Sequence, residues 1–149
     1  MTDSPAPRAL RLAIGICTHN REAFLRRTLR ALLTSADRGV DLDRIIVVNQ
    51  GQPFTMPDLR ALLDHPAVKI VEQPNLGGSG GFARVMVEAT RPDPGCGATH
   101  LLLMDDDILL DPRILARAAC FAAHARDDVA LSGQALEIEV PERLQDAGG

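Results

Sequence analysis

The chain has 149 residues, 46% of them apolar and 24% charged, with sixteen basic residues against twenty acidic ones and a formal charge of −4. That length suits one domain, and a chain of this size forms a core without help from disulfides or a structural metal. With no basic excess, four Phe and no Tyr or Trp, the composition argues against a nucleic-acid partner held by phosphate contacts and base stacking.

Residues 1–8, polar and with two prolines, read as a flexible arm ahead of a domain over 9–140, with 141–149 as a tail. Leu10 to Cys17 reads as a strand. Arg21 to Thr34 reads as a helix with Phe24, Leu25, Leu29, Leu32 and Leu33 on its apolar face, Asn20 as N-cap and Asp37-Arg38-Gly39 as the stop. Asp43 to Asn49 has the β-branched run of a strand buried on both faces. Pro57 to His65 reads as a short helix and Val68 to Glu72 as a third strand. A glycine-rich turn, Asn75 to Gly81, leads to a helix from about Phe82 to Ala89. A loop with Pro92, Pro94, Gly95 and Gly97 precedes a fourth buried strand, His100 to Met104. Pro112 to Ala125 reads as a helix and Val129 to Leu136 as a fifth strand; after Ile138 no further element is expected. This alternation predicts an α/β fold, a mostly parallel sheet with helices on both faces, which looks cut short at its C-terminal end.

Cys17, Cys96 and Cys120 are odd in number and lack metal-ligand spacing, so they read as reduced thiols, with Cys17 packed inside a strand. The longest apolar runs fall far short of the ~18 residues of a membrane span, and Met1 to Arg11 carries no signal-peptide core. A soluble, cytoplasmic chain is the expectation.

In parallel α/β sheets ligands collect beyond the carboxyl ends of the strands. Four polar groups fall at such ends: Thr18-His19-Asn20-Arg21, Asn49-Gln50-Gly51, Asn75 to Gly81, and Asp105-Asp106-Asp107. Strand alternation brings Asp105 and Asp107 to one side and turns Asp106 away. Adjacent carboxylates repel one another, and an all-oxygen set favours Mg²⁺ or Mn²⁺ bridging to phosphates; the competing reading is a helix start with Asp111 as cap. The glycines also permit two functional readings. Gly78-Ser79-Gly80-Gly81-Phe82-Ala83 fits G-x-G-x-x-A, which would make this a dinucleotide-binding oxidoreductase domain using Gly78 and Gly80, although that fingerprint normally follows the first strand. Alternatively, the backbone lies close to a bulky ligand while helix amides face an anion. Arg21 opposes the macrodipole of the helix it begins, which favours a ligand contact. His19 and His100 have no metal-spaced partner and read as structural.

Thr18-His19-Asn20-Arg21, Asn49-Gln50-Gly51, the stretch Asn75 to Arg84 (NLGGSGGFAR) and Met104 to Ile108 (MDDDI) resemble the family 2 glycosyltransferases, most closely the branch that transfers galactofuranose. The resemblance covers about residues 10 to 138 and implies the nucleotide-binding fold called GT-A. It implies Thr18 and Arg21 on the uridine and phosphate part of a UDP-galactofuranose donor, with Asn49, Gln50, Gly51 and Asp106 also in the nucleotide site. At Asn49 relatives usually carry the Asp that grips the base. Asn75, Gly77, Gly78 and Gly80 would line the diphosphate and ribose, with Arg84 on the helix behind, and Asp105 and Asp107 would hold Mn²⁺ or Mg²⁺. The resemblance further implies inverting transfer to a glycan or lipid-linked glycan acceptor, and with it peripheral association with the inner face of the plasma membrane. None of Asp111, Asp127, Asp128, Glu137, Glu139, Glu142 and Asp146 matches the family's catalytic base. An inactive donor-binding fragment, completed by a missing C-terminal segment or an oligomeric partner, is therefore the competing expectation.

Overall fold

The computed structural model describes residues 9–36, 40–91, 97–126, 128–133, 135–140 and 144–146. The expected arm over 1–8, the stop at Asp37-Arg38-Gly39, Pro92, Pro94, Gly95 and Cys96 lie outside those residues. Four strands, β1 (Leu12–Thr18), β2 (Leu42–Asn49), β3 (Val68–Glu72) and β4 (His100–Asp105), form one sheet in the order β3-β2-β1-β4 with every pair parallel. The helices α1 (Glu22–Ala36), α2 (Pro57–Leu63), α3 (Gly77–Thr90) and α4 (Pro112–His124) alternate with them. Parallel pairing places the C-terminal ends of all four strands, and hence the four polar loops, along one edge.

Alternation along the strands divides the core. Ile14, Ile16, Ile45, Val47 and Met104 pack with Leu25, Leu29 and Leu32 of α1, Leu59 and Leu63 of α2, and Leu115 of α4. Ile46, Val48 and Val71 meet Val85 of α3 on the opposite face. Helices therefore cover both faces, as the sequence predicts.

Several expectations need correction. Phe24 is not on the buried face of α1: it is 44% exposed, and its ring lies against the guanidinium groups of Arg21 and Arg27, each 5.5 Å from the ring centroid. β4 is not fully buried, since no strand pairs with its outer side among the described residues and Leu103 is 37% exposed. The fifth strand expected over Val129 to Leu136 is reduced to β5 (Ala135–Leu136), which pairs antiparallel with β6 (Leu144–Asp146) outside the main sheet. Ser132-Gly133 lies in the middle of the stretch read as one strand, where glycine weakens extended pairing. β6 also lies where no further element was expected.

α3 is seated on the sheet by two features of opposite character. Gly15 of β1 makes room for Val85, whose Cγ1 would lie 2.0 Å from a Cβ at that position. On the same helix Glu88 is buried, yet its carboxylate meets Lys69 Nζ of β3 at 2.9 Å, Arg84 Nε at 2.8 Å and Arg91 Nη1 at 3.3 Å. The Lys69 hydrogen bond, followed by those of Arg84 and the nearby cations, holds this carboxyl below its usual range against the opposing effect of burial.

Two outcomes follow. Gly15→Ala pushes α3 off the sheet and lowers the unfolding free energy by about 1–3 kcal/mol in urea denaturation. A carboxyl whose folded pKa is depressed stabilises the fold above its unfolded value, and this contribution is lost as pH falls through the lower folded value. Stability therefore drops more steeply below about pH 4.5 in the wild type than in Glu88→Gln, as denaturation curves across acid pH would register.

Candidate functional site

The chain passes from β1 to β2 and β3 on one side, then crosses to β4 on the other, so the loops after β1 and β4 part at a topological switch point. A cleft of about 310 Å³ opens there. Cys17, Thr18, His19 and Arg21 form its β1 side, Asn75, Gly77, Gly78 and Phe82 the α3 side, and Asp105 and Asp106 the β4 side, with Gln50 at the back.

The β4 side is built around a buried carboxylate. Extended alternation stops at Asp105, the last residue of β4, and the chain turns through Asp106 and Asp107. Asp106, expected to face away, instead points inward and is 4% exposed. Thr18 Oγ1 donates to its Oδ2 at 2.6 Å, and Arg21 Nη1 lies 3.5 Å from its Oδ1. The same guanidinium pairs with Asp107. From α1, Thr28 Oγ1 donates to the Asp106 carbonyl at 2.7 Å and Arg27 Nη2 to the Asp107 carbonyl at 2.9 Å. Burial pushes the Asp105 carboxyl above its usual range, and repulsion from Asp107 and Asp106 adds to this, with Arg21 opposing. Arg21 is itself held more firmly protonated, first by its hydrogen bond to Asp107 and then by the Asp106 charge. Its conflict with the α1 dipole is resolved by these acids.

The back of the cleft is a web of side chain to main chain bonds. Asn20 has φ 56° and is not a helix cap; its Oδ1 accepts from Gln52 N at 2.8 Å. Gly51 packs so tightly on Asn20 that a Cβ there would lie 2.3 Å from Asn20 Oδ1. Asn49 is buried, with Nδ2 donating to Gln52 O and to Glu72 Oε2 and Oδ1 accepting from Gly51 N. His19 Nδ1 donates to the Gln50 carbonyl at 3.0 Å.

On the α3 side the expected turn is already helix. α3 starts at Gly77, not Phe82, so four of its first five residues are glycine. A Cβ on Gly81 would lie 2.1 Å from Cys17 Sγ and one on Gly80 2.3 Å from Leu76 Cβ. The close approach inferred for a ligand is thus, at these two positions, an approach to protein. Gly77 and Gly78 differ: their Cβ positions meet nothing within 4 Å. Arg84 points to Glu88 rather than into the cleft.

Of the residues singled out from sequence, Thr18, Arg21, Gln50, Asn75, Gly77, Gly78, Asp105 and Asp106 meet at the cleft, while Asn49, Gly51, Gly80 and Asp107 lie outside its lining. Cys17, His19 and Phe82 line it although sequence reasoning gave them no site role. Thr28 was also missed; its spacing of seven from Arg21 was the available signal, since it puts Thr28 on the side of α1 that follows from Arg21, the residue just before that helix. Of the acids weighed as a base, Asp111 caps α4 and binds Arg113, which lowers its carboxyl to about 2, and Asp128 pairs with Arg126. Asp127 and Glu142 lie outside the described residues.

An all-parallel main sheet with a polar cleft at its switch point defines a Rossmann-like α/β domain. The family model described as glycosyltransferase like family 2 matches residues 7–144, and the chain belongs to that family. It is 36% identical over 158 residues to galactofuranosyltransferase GlfT2 of Mycobacterium tuberculosis, an alignment covering 97% of this chain and 23% of the relative. GlfT2 of Mycolicibacterium smegmatis is 34% identical over 157 residues, covering 97% and 22%. The chain thus spans less than a quarter of the length of these curated relatives.

Thr28→Val keeps the shape of the side chain but removes the donor to the Asp106 carbonyl. Urea denaturation is expected to show a loss of about 1–2 kcal/mol; an unchanged midpoint would mean that the hydroxyl contributes nothing to the acidic turn.

Proposed function

We propose that this chain binds the nucleotide-sugar donor of a glycosyltransferase, with UDP-galactofuranose as donor and a glycan or lipid-linked glycan as acceptor, and with inversion at the transferred sugar. The observation that carries this reading is the convergence, on one cleft, of the β1 loop, the open glycine start of α3 and the acidic turn after β4. Family membership and the galactofuranosyltransferase relatives supply the class of donor.

Each wall has a task in this reading. Thr18 and Arg21 take the uridine and phosphate part, with Asn49, Gln50 and Gly51 behind them. The first amides of α3 face the diphosphate, where the helix dipole favours negative charge and the bare Gly77 and Gly78 leave room for phosphate oxygens. Arg21, half exposed and shared between Asp106 and Asp107, lies beside that charge.

Among the described residues no group of three or more His, Cys, Asp or Glu could hold a metal unaided. Asp105 and, on exchanging Arg21 for the cation, Asp107 would supply two carboxylates of an all-oxygen shell, because Mg²⁺ is commonly held by one or two carboxylates with substrate phosphates and water completing its coordination. Their mutual repulsion, felt at Asp105, is what a divalent cation would relieve. When bound, Mn²⁺ or Mg²⁺ would stabilise the charge on the departing nucleoside diphosphate. In inverting transfer the acceptor hydroxyl attacks the anomeric carbon from the face opposite the diphosphate, the bond to the diphosphate breaks with its electron pair leaving on that group, and the hydroxyl proton passes to a carboxylate base.

Titration calorimetry with UDP tests this directly. Binding should require Mn²⁺ or Mg²⁺ and weaken at least about tenfold in Asp105→Ala and Asp107→Ala without a matching loss of thermal stability. Metal-independent binding of NAD, with none of UDP, would instead favour the dinucleotide reading of Gly78 and Gly80.

A further inference from the structure

We infer that Gln50 is a positioning residue: its buried carboxamide fixes the start of α3 against the ends of β1 and β3, and so sets the open glycine surface that faces the cleft. Only the final link, from that surface to a diphosphate, rests on the function proposed above.

Gln50 follows β2 directly and is 5% exposed. Its Nε2 donates to Gly77 O at 2.9 Å and to Cys17 Sγ at 3.0 Å. Its Oε1 accepts from Leu76 N and from Gln73 Nε2, both at 2.9 Å. A carboxamide has two N–H donors and two acceptor lone pairs. All four are used within the protein, so although Gln50 borders the cleft, its side chain has no hydrogen bond left for a ligand. The orientation of the amide is fixed by its partners, because Leu76 N–H needs an acceptor and Gly77 C=O a donor.

The start of α3 needs such a hold. Leu76, at the N-cap, makes no side-chain capping bond, and Gly77 sits at φ 70°. Glycines in sequence lose more conformational entropy on ordering than other residues, and nothing packs where the Cβ atoms of Gly77 and Gly78 would be. Gln50 reaches this turn from a neighbouring strand, while Gln73 steadies Gln50 and extends to Gly80 O at 3.3 Å. On the other side, Gly81 rests on Cys17. The turn is thus held by steric contact beneath, by the Gln50 and Gln73 carboxamides in front, and by Asn75 Oδ1, which accepts from Gly77 N at 3.0 Å. An anion meeting an already ordered turn does not lose affinity in ordering it.

Amide hydrogen exchange on the whole chain, followed by NMR, provides the test. In Gln50→Leu the Leu76 amide loses its acceptor and should exchange at least about tenfold faster, with α1 amides unchanged. In Gln50→Glu the acceptor for Leu76 N–H is kept although the donor to Gly77 O is lost, so Leu76 should exchange more slowly than in Gln50→Leu. A residue that merely fills space would give the reverse, with Leu tolerated and Glu disruptive. Unchanged Leu76 exchange in Gln50→Leu overturns the inference whether or not any nucleotide binds. Should Gln50→Leu fail to fold, Gln73→Leu removes one donor to Oε1 and the bond to Gly80 O; it should speed exchange over 76–81, and unchanged exchange there also overturns the inference. UDP calorimetry on the same variants tests the final link. Affinity reduced about tenfold in Gln50→Leu supports it, and loss of protection with undiminished affinity overturns it. A wild-type chain that binds no UDP removes the donor reading, leaving the exchange data to decide the positioning role.

Discussion

The buried carboxylate of Asp106 is the constraint on which the site depends. A charge removed from water in this way is tolerated only when its lone pairs are filled and a counter-charge is near. Both conditions are met from the end of β1 and the turn that follows it, by the Thr18 hydroxyl and the Arg21 guanidinium. The end of β4 is consequently tied to the end of β1 by more than the sheet ladder. Thr28 and Arg27 bind the main chain of the same turn, so α1 grips it as well. Asp105 and Asp107 flank this fixed point, Asp107 paired with Arg21.

The facing wall is organised differently. Its lining residues Asn75, Gly77, Gly78 and Phe82 carry no charge, and its shape comes from close backbone packing on Cys17 and from the carboxamide of Gln50. One wall is therefore defined by fixed charge and the other by fixed backbone dipoles. Lys69, Arg84 and Arg91 surround Glu88 further along α3, so their charge is directed at that carboxylate. Arg21 remains as the cation beside the cleft.

The strands were legible as apolar runs, β-branched in β2 and leucine-rich in β4, and the helices by their apolar spacing, while Asp111 was readable as a cap from its place ahead of Pro112. The polar loops were legible as a group, since parallel strands send their C-terminal ends the same way. Directions within the loops were not. The alternation rule holds only while the chain is extended, so it failed at Asp106, where β4 has already turned. Asn20 looked like a cap because its residue type favours that role, but its left-handed backbone and its bond to Gln52 place it in a loop-to-loop contact. The glycines suggested room for a ligand, which holds at Gly77 and Gly78, whereas Gly80 and Gly81 make room for Leu76 and Cys17. Phe24 fits the apolar stripe by spacing alone; its burial was decided by two arginines that no periodicity counts.

The partners in the Thr18–Asp106 bond are 88 residues apart in sequence. The loop that must close before they meet includes β2, β3, α2 and α3, so the cleft exists only once the central sheet has assembled in full. Any molecule that bridges its two walls binds the native chain and has no counterpart in the unfolded one. By mass action such a molecule deepens the native well in proportion to the logarithm of its concentration over Kd. Occupancy of this crevice and integrity of the fold are therefore two readings of a single thermodynamic linkage.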